Sequence, residues 1–231
     1  MPTINPRESF DRYQKALIDE VLVLGSMVEQ SIQQALEALK NRDIASSHRI
    51  YQNDELINQK RYRIEGETLT LIATQQPMAR DLRFLAAILE VITELERIGD
   101  YAKGISRVNI LLGEEPIDAP IRDLEMMAER GLSMLHRALS AFINKDPEAA
   151  RRIPPEDDEI DNLYNHIYRE LVDRMIQNPS FIDRANHLIW AAHNLERMAD
   201  RVTNICERII FVATGEIKEL DHSDDEYMEI K

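Results

Sequence analysis

Pairs of oxygen-bearing side chains four residues apart are the strongest chemical signal in this sequence. Four pairs have this spacing: Glu96 with Asp100, Asp54 with Asn58, Glu196 with Asp200, and Asp157 with Asp161. On a helix, residues four apart lie on one face with one turn between them. Adjacent carboxylates repel, so such a pair of acids costs stability unless a positive group compensates for it.

These pairs predict two metal sites if the helices that carry them are neighbours in an antiparallel bundle. The Asp54 pair would then face the Glu96 pair, and the Asp157 pair would face the Glu196 pair. Each half would gather four oxygen ligands, which suit hard cations such as Mg²⁺, Ca²⁺, Mn²⁺ or ferric iron and not a structural zinc. The first site is less negative, because Asn58 stands where the second half has an acid.

Simpler interpretations of the same residues stay open. Acids at this spacing usually form a solvated helix face, or they pair with arginines such as Arg97 and Arg197. His193 lies one turn before Glu196, where it is either a further ligand or a helix residue with a local hydrogen bond. Cys206 has no histidine at a spacing typical of a catalytic pair, so we expect it in the core.

An internal repeat supports the metal sites, because the acids recur at equivalent positions. The sequence Leu-Glu-Arg at positions 95–97 recurs at positions 195–197, an offset of 100. Further upstream the offset is 103, as it is for Asp54 and Asp157. A duplicated unit predicts a pseudo-symmetric fold in which a site in one half has a counterpart in the other.

Composition narrows the class of protein. The chain has 231 residues, a net charge of −14 and a single cysteine. The negative charge argues against a general affinity for nucleic acid. One cysteine cannot form an internal disulfide, and a reducing cytoplasm is the simpler interpretation. No signal peptide is evident and no apolar run approaches the ~18 residues of a membrane span, so we expect membrane contact only at the periphery or through a partner.

The apolar periodicity predicts six helical segments and essentially no sheet. Gly and Pro end the segments, and Pro154-Pro155 must interrupt the fifth. The first, second and fourth predicted segments cover about 10–39, 44–75 and 119–143. The third follows Pro77 and runs to about 112. The fifth begins at Asp146-Pro147, resumes near Glu156 and runs to about 177, and the sixth follows Asn178-Pro179 and runs to about 214. Three long helices with short turns can only bury their apolar stripes against one another. We therefore predict an all-α chain with two tandem three-helix bundles at 8–115 and 116–215, followed by an acidic, disordered tail at 216–231.

Several segments of the sequence resemble the PhoU family, the phosphate-specific transport system accessory proteins. The resemblance covers roughly residues 8–215. It rests on the segments Gln76-Pro77, Asp81-Leu82-Arg83, Glu94-Leu-Glu-Arg-Ile-Gly-Asp100, Asn194-Leu-Glu-Arg-Met-Ala-Asp200 and Asn204-Ile-Cys-Glu207. The departures are Ala199 in the place of Gly99, and the Pro154-Pro155 interruption.

The resemblance implies a function and partners. Family members are negative regulators of phosphate uptake and of the phosphate-starvation response. They are thought to contact the ATPase subunit of the phosphate ABC transporter and the sensor histidine kinase. The resemblance further implies a homodimer in the bacterial cytoplasm, or at the inner membrane through its partners. It also implies bound metal ions, with iron, manganese, magnesium, zinc and calcium as candidates, held by the four residue pairs named above. We predict a metal-binding adaptor and not an enzyme.

Two other classes of protein are also compatible with the sequence. One is a carboxylate-bridged metalloenzyme, a phosphatase or an oxidase, although the bundles lack clear histidine ligands and a general base. Another is a structural adaptor whose acids form salt bridges only. A narrower variant keeps the family and changes the partner to a different phosphate transporter.

Overall fold

The computed structural model describes residues 6–116, 120–216 and 220, and these residues form an all-α fold without strands. Two tandem pseudo-symmetric three-helix bundles contain six long helices. The first bundle consists of α1 (Pro6–Asn41), α2 (Ile44–Gln75) and α3 (Arg80–Leu112). The second consists of α4 (Ile121–Asn144), a short α5 (Pro147–Arg151), α6 (Asp157–Gln177) and α7 (Ile182–Thr214). The predicted fold class is therefore confirmed.

In the first bundle, α1 buries a stripe that recurs every three or four residues, including Leu17, Val21, Leu24 and Val28. The side chain of Asp43 caps α2 by accepting a hydrogen bond of 2.8 Å from the Ser46 backbone N–H.

The link between α2 and α3 contains Pro77, the residue expected to mark the break, and extends beyond it. Gln76 ends α2 in the left-handed region, with φ +47°, and Ala79 has φ +48°. Two positive φ angles in four residues are incompatible with a continuing helix, so α3 begins only at Arg80.

The second bundle repeats this order with an interruption. Asp146 Oδ1 accepts hydrogen bonds from the backbone N–H groups of Glu148 and Ala149, both at 3.0 Å, and Pro147 occupies the first turn of α5. The helix stops at Arg151, because prolines follow at positions 154 and 155 and form a 3₁₀ turn. The predicted break is thus present, and it leaves Asp157 as the first residue of α6.

The two bundles join through α3 and α7, which form the most extensive helix pairing in the described chain. The Asn204 side chain of α7 donates to Glu94 of α3 at 3.2 Å. A Cβ on Gly104 would lie 3.0 Å from the Asn194 amide, so glycine permits this close approach. Glu94 and Asn194 are counterparts at the offset of 100, and so are Gly104 and Asn204. Each of the two contacts is therefore the symmetry counterpart of the other. This shows that α3 and α7 cross antiparallel about a local pseudo-twofold axis.

Two further expectations concern the membrane and the tail. Among the described helices, none combines the length and the hydropathy needed to cross a bilayer. The backbone N–H of Leu220 donates to Glu207 at 2.8 Å, and the Leu220 side chain packs on the core. The rest of the predicted tail, apart from Glu216, lies outside the described residues.

Candidate metal sites

The residues of the first predicted site lie on α2 and α3, which are neighbouring helices as expected. Asp54 and Asn58 lie on α2, and Glu96 and Asp100 lie on α3. Asp54 is deeply buried, with its side chain 3% exposed. Asn58 Nδ2 donates to Asp54 Oδ2 at 3.4 Å. The two predicted ligands on α2 therefore contact each other, and this contact uses Asp54 Oδ2.

A lysine that sequence reasoning missed lies among these acids. Lys103 Nζ donates to Asp54 Oδ2 at 2.7 Å and lies 3.7 Å from Asp100 Oδ1. The hydrogen bond to Asp54 raises the pKa of Lys103, so the ammonium is held in its charged form. The first set of acids thus carries a cation of its own. Its position three residues after Asp100 on the same helix face is the signal that could have revealed it.

The two acids of α3 are held in an unfavourable electrostatic environment despite this lysine. Burial, followed by the charge of Asp100, raises the pKa of Glu96. Burial, followed by the charge of Asp54, raises the pKa of Asp100. Three carboxylates from two helices therefore interact with one another, as the predicted pairing of α2 with α3 requires.

Unpaired oxygen atoms show that these residues fit a hard cation. Asp54 Oδ1 and Asn58 Oδ1 are buried and have no hydrogen-bond partner among the described residues. Carboxylate and amide oxygens are the ligand types that Mg²⁺, Ca²⁺ and Mn²⁺ prefer. In the described part of the chain, however, no three of the predicted carboxylates bring oxygen atoms within 4.8 Å of one another. The donor types suit a hard cation, whereas the carboxylates do not form a closed ligand set here and Lys103 lies beside Asp54.

The second predicted site lies between α6 and α7. Asp157 is buried at the start of α6, and Asp161 follows one turn later. Glu196 and Asp200 lie on α7. His193 Nδ1 lies 3.1 Å from Glu196 Oε2, so this histidine contacts an acid of the predicted set. Burial, followed by the charge of Arg197, lowers the pKa of His193, which favours the neutral imidazole that a metal ligand requires.

The arginines considered as alternative partners also contact groups outside the predicted sites, while their charges still act on Glu96, Glu196 and Asp200. Arg97 pairs with Glu94 at 2.9 Å, and Arg197 Nε donates to the Tyr101 hydroxyl at 3.2 Å. The first contact lies within α3, and the second joins α7 to α3. In the first half, the salt-bridge alternative is therefore carried by a lysine instead.

The Cys206 thiol is a core group. It is fully buried, and burial raises its pKa to about 12. A thiol with such a pKa stays protonated at neutral pH and does not act as a nucleophile or a metal ligand.

Comparison with known proteins gives a consistent result across both halves. The family model of the PhoU domain matches residues 21–108 and again residues 124–209. A phosphate-specific transport system accessory protein PhoU homolog from Rhizobium meliloti is 33% identical over 208 residues, which is 90% of this chain and 88% of that protein. A homolog of the same name from Caulobacter vibrioides is 36% identical over 201 residues, 87% of each chain.

Solved structures give the same result for the fold. The phosphate transport system regulatory protein PhoU from Streptococcus pneumoniae superposes with a TM-score of 0.84 at 32% identity, covering 90% of this chain and 99% of that one. PhoU from Pseudomonas aeruginosa also gives 0.84, at 31% identity, covering 90% and 100%. These similar proteins are named as accessory or regulatory proteins and not as enzymes.

Proposed function

The chain belongs to the PhoU domain family, and on this premise we propose that it is an accessory and regulatory protein of a phosphate transport system. The observation that carries the proposal is the match of the family model to both halves of the chain, at residues 21–108 and 124–209. The similarity also extends over almost the whole length of the relatives, so the proposal concerns the complete two-bundle unit.

The finer role that we propose is negative regulation by docking. The protein acts in the cytoplasm as a homodimeric adaptor between the ATPase subunit of the phosphate ABC transporter and a sensor histidine kinase. It restrains uptake and starvation signalling when phosphate is sufficient. Regulation of this kind needs different affinities for two states of the partner. A rigid helical scaffold with a net charge of −14 supports such docking, because it offers a fixed and strongly charged surface.

We further propose that the repeated acids hold metal ions in this adaptor. The ligands are Asp54, Asn58, Glu96 and Asp100 in the first half, and Asp157, Asp161, Glu196 and Asp200 in the second. When bound, such an ion supplies the positive charge that holds two neighbouring helices of a bundle together. The orphaned oxygens of Asp54 and Asn58, with the raised pKa values of Glu96 and Asp100, support the proposal in the first half.

The second set is the tighter of the two sites in this proposal. Asp161 stands where the first half has Asn58, which adds one negative charge to the ligand set. The position of Lys103 is occupied by Thr203, so the second half lacks the equivalent ammonium. Cation affinity rises with the net negative charge of the ligands.

Elemental analysis of purified protein tests the metal sites. Protein purified without chelator is compared with the variants Glu96→Gln/Asp100→Asn and Glu196→Gln/Asp200→Asn. The control is Glu125→Gln/Glu129→Gln, which removes two acids at the same spacing from α4. We expect the control to keep its metal and the Glu196/Asp200 variant to lose most of it. Equal metal content in all four proteins would contradict the assignment.

Complementation tests the regulatory role separately. In a bacterial strain that lacks its own PhoU, this chain should restore repression of a phosphate-starvation reporter in phosphate-rich medium. Purified protein should also retain the transporter ATPase subunit and the histidine kinase on an affinity column. A reporter that stays fully active, despite normal expression of the chain, would contradict the proposed function.

A further inference from the structure

A histidine and two acids converge on the second bundle, away from the repeated acid pairs. Asp123 lies in the first turn of α4, and His166 and Glu170 lie one turn apart on α6. His166 Nε2 is 3.8 Å from Asp123 Oδ2. One ligand atom of each residue lies within 4.8 Å of the other two, which no other group of three such side chains achieves in the described residues.

The internal repeat shows what the first half has at the same place. At the offset of 103, the counterparts of the three residues are Glu20, Arg63 and Glu67. There, the Arg63 guanidinium pairs with Glu20 and lies 4.0 Å from Glu67. Lys60 also pairs with Glu20. Two basic side chains thus neutralise two acids, and this cluster needs no further cation.

The second half keeps both acids and loses both basic side chains. His166 replaces Arg63, and the counterpart of Lys60 is Leu163. An imidazole and two carboxylates now meet where a guanidinium lay between two carboxylates. The nitrogen ligand also changes the chemistry of the cluster, because imidazole with carboxylates suits transition-metal ions better than Mg²⁺ or Ca²⁺.

We propose that Asp123, His166 and Glu170 bind a divalent transition-metal ion, with Zn²⁺ as the probe. The ligands are His166 Nε2 and one oxygen of each acid. Zinc ligands at about 2.0–2.2 Å in a tetrahedron lie roughly 3.4 Å apart; the His166–Asp123 pair is at 3.8 Å, and all three ligand atoms lie within 4.8 Å of one another. His166 is 67% exposed, which leaves the fourth position to water.

One basic side chain competes for this site. Arg174 donates to Glu170 Oε1 at 2.6 Å. A monodentate metal contact uses a single carboxylate oxygen, so Arg174 orients Glu170 and is compatible with ligation. We expect the affinity to be modest, because the positive charge of Arg174 repels a bound cation and because His166 is exposed.

Imidazole NMR on the full ¹⁵N-labelled chain tests the proposal directly. The sequence has six histidines, so individual ring signals can be followed during a ZnCl₂ titration. We expect Zn²⁺ to move the His166 Nε2 signal. A calorimetric titration of His166→Arg, which copies the first half, should show this binding event weakened at least about tenfold.

Two further variants keep the test decisive. Glu170→Gln should weaken the same event without altering the number of histidines. His48→Ala removes an exposed histidine of α2 and should leave the event unchanged. An unmoved His166 signal at saturating Zn²⁺ would overturn the proposal. A shift confined to His193 would also overturn it, and would assign the ion to the Glu196 set instead.

Discussion

The two halves of the molecule place acids at equivalent positions but differ in the cations that surround them. The first half has a basic residue at four positions where the second half has an uncharged side chain or a histidine. The replacements are Lys60 by Leu163, Arg61 by Tyr164, Arg63 by His166 and Lys103 by Thr203. The acids beside Lys60, Arg63 and Lys103 are kept and Asp161 is added, whereas Glu65, the partner of Arg61, is replaced by Tyr168.

The difference separates two ways of using a duplicated helical scaffold. In the first half, side-chain cations lie beside the acids, as Lys103 does beside Asp54 and Asp100. Such ion pairs form whenever the chain folds and need no external ion. In the proposed function, the equivalent acids of the second half take a diffusible cation at these places. Such binding would depend on metal concentration, so we propose the second half as the place for a regulated site.

Removing the lysine of the first half should have the largest effect on stability. Lys103→Met leaves the buried Asp54 carboxylate without its cation, and we expect the free energy of unfolding to fall by about 3 kcal/mol, the lower part of the range for a broken buried ion pair. Urea denaturation in chelator measures this loss.

The control for this change is Lys15→Met, because Lys15 is exposed on α1. It should alter stability by less than about 0.5 kcal/mol. Added Mn²⁺ should restore part of the loss in the Lys103 variant if the acids then behave as they do in the second half. An identical small loss in both variants would show that Lys103 does not neutralise the first set.

Copying the second half into the first should have an intermediate effect. Lys60→Leu/Arg63→His removes both cations from Glu20, whose side chain is 31% exposed, so we expect a loss of at most about 1 kcal/mol. The same variant should acquire Zn²⁺-dependent stabilisation, because it recreates the donor set of Asp123, His166 and Glu170. Thermal denaturation with and without ZnCl₂ measures both effects.

The titration of Glu20 determines how the stability difference between wild type and the Lys60→Leu/Arg63→His variant depends on pH. Its hydrogen bond to Lys60, together with Arg63, lowers the pKa of Glu20 in the folded protein. The resulting stability is present above the unfolded pKa of about 4.3 and is lost as the pH falls through the lower folded pKa. Wild type and variant should therefore differ at pH 7 and converge in acid. A constant difference down to pH 2 would contradict the role of Glu20.

The fold could be predicted from sequence because each long helix has its own local sequence pattern. The apolar period predicted the long helices, and Asp146, Pro147 and the proline pair predicted the break before α6. The start of α3 could not be placed more closely than after Pro77, because the positive φ of Ala79 has no sequence signal such as glycine. Local sequence patterns therefore predict the helices, but they do not predict the conformation of the link between α2 and α3.

The sequence allowed the candidate site residues to be assigned to their helices, but it did not predict the side chains that surround them. The repeat located Asp54 and Asp100 on facing helices, but it did not show that Lys103 reaches both acids. Asp123 and His166 are 43 residues apart in the sequence and lie on different helices, so no short sequence motif contains both. Such sites depend on the register between helices, which only the packed structure provides.

The smallest expected effect concerns the repulsion within the first set. Burial and the charge of Asp100 raise the pKa of Glu96, so its ionised form costs stability in the folded protein. The folded protein holds the proton more tightly, and stability falls as the pH rises through the window between the unfolded and the folded pKa. In chelator at pH 7, Glu96→Gln should therefore stabilise the protein by about 0.2–0.5 kcal/mol, the cost of a like-charged pair on a helix.

The stabilisation should disappear below the unfolded pKa of about 4.3, where the glutamate is protonated in both states. Glu90→Gln, an exposed change on the same helix, should show no such pH dependence. The sign should also reverse in saturating Mn²⁺, because a ligand to a bound cation stabilises the folded state and a glutamine at the same place binds it less well. A variant that stays more stable than wild type at every Mn²⁺ concentration would mean that Glu96 only repels its neighbours, and the first half would then hold no metal through this residue.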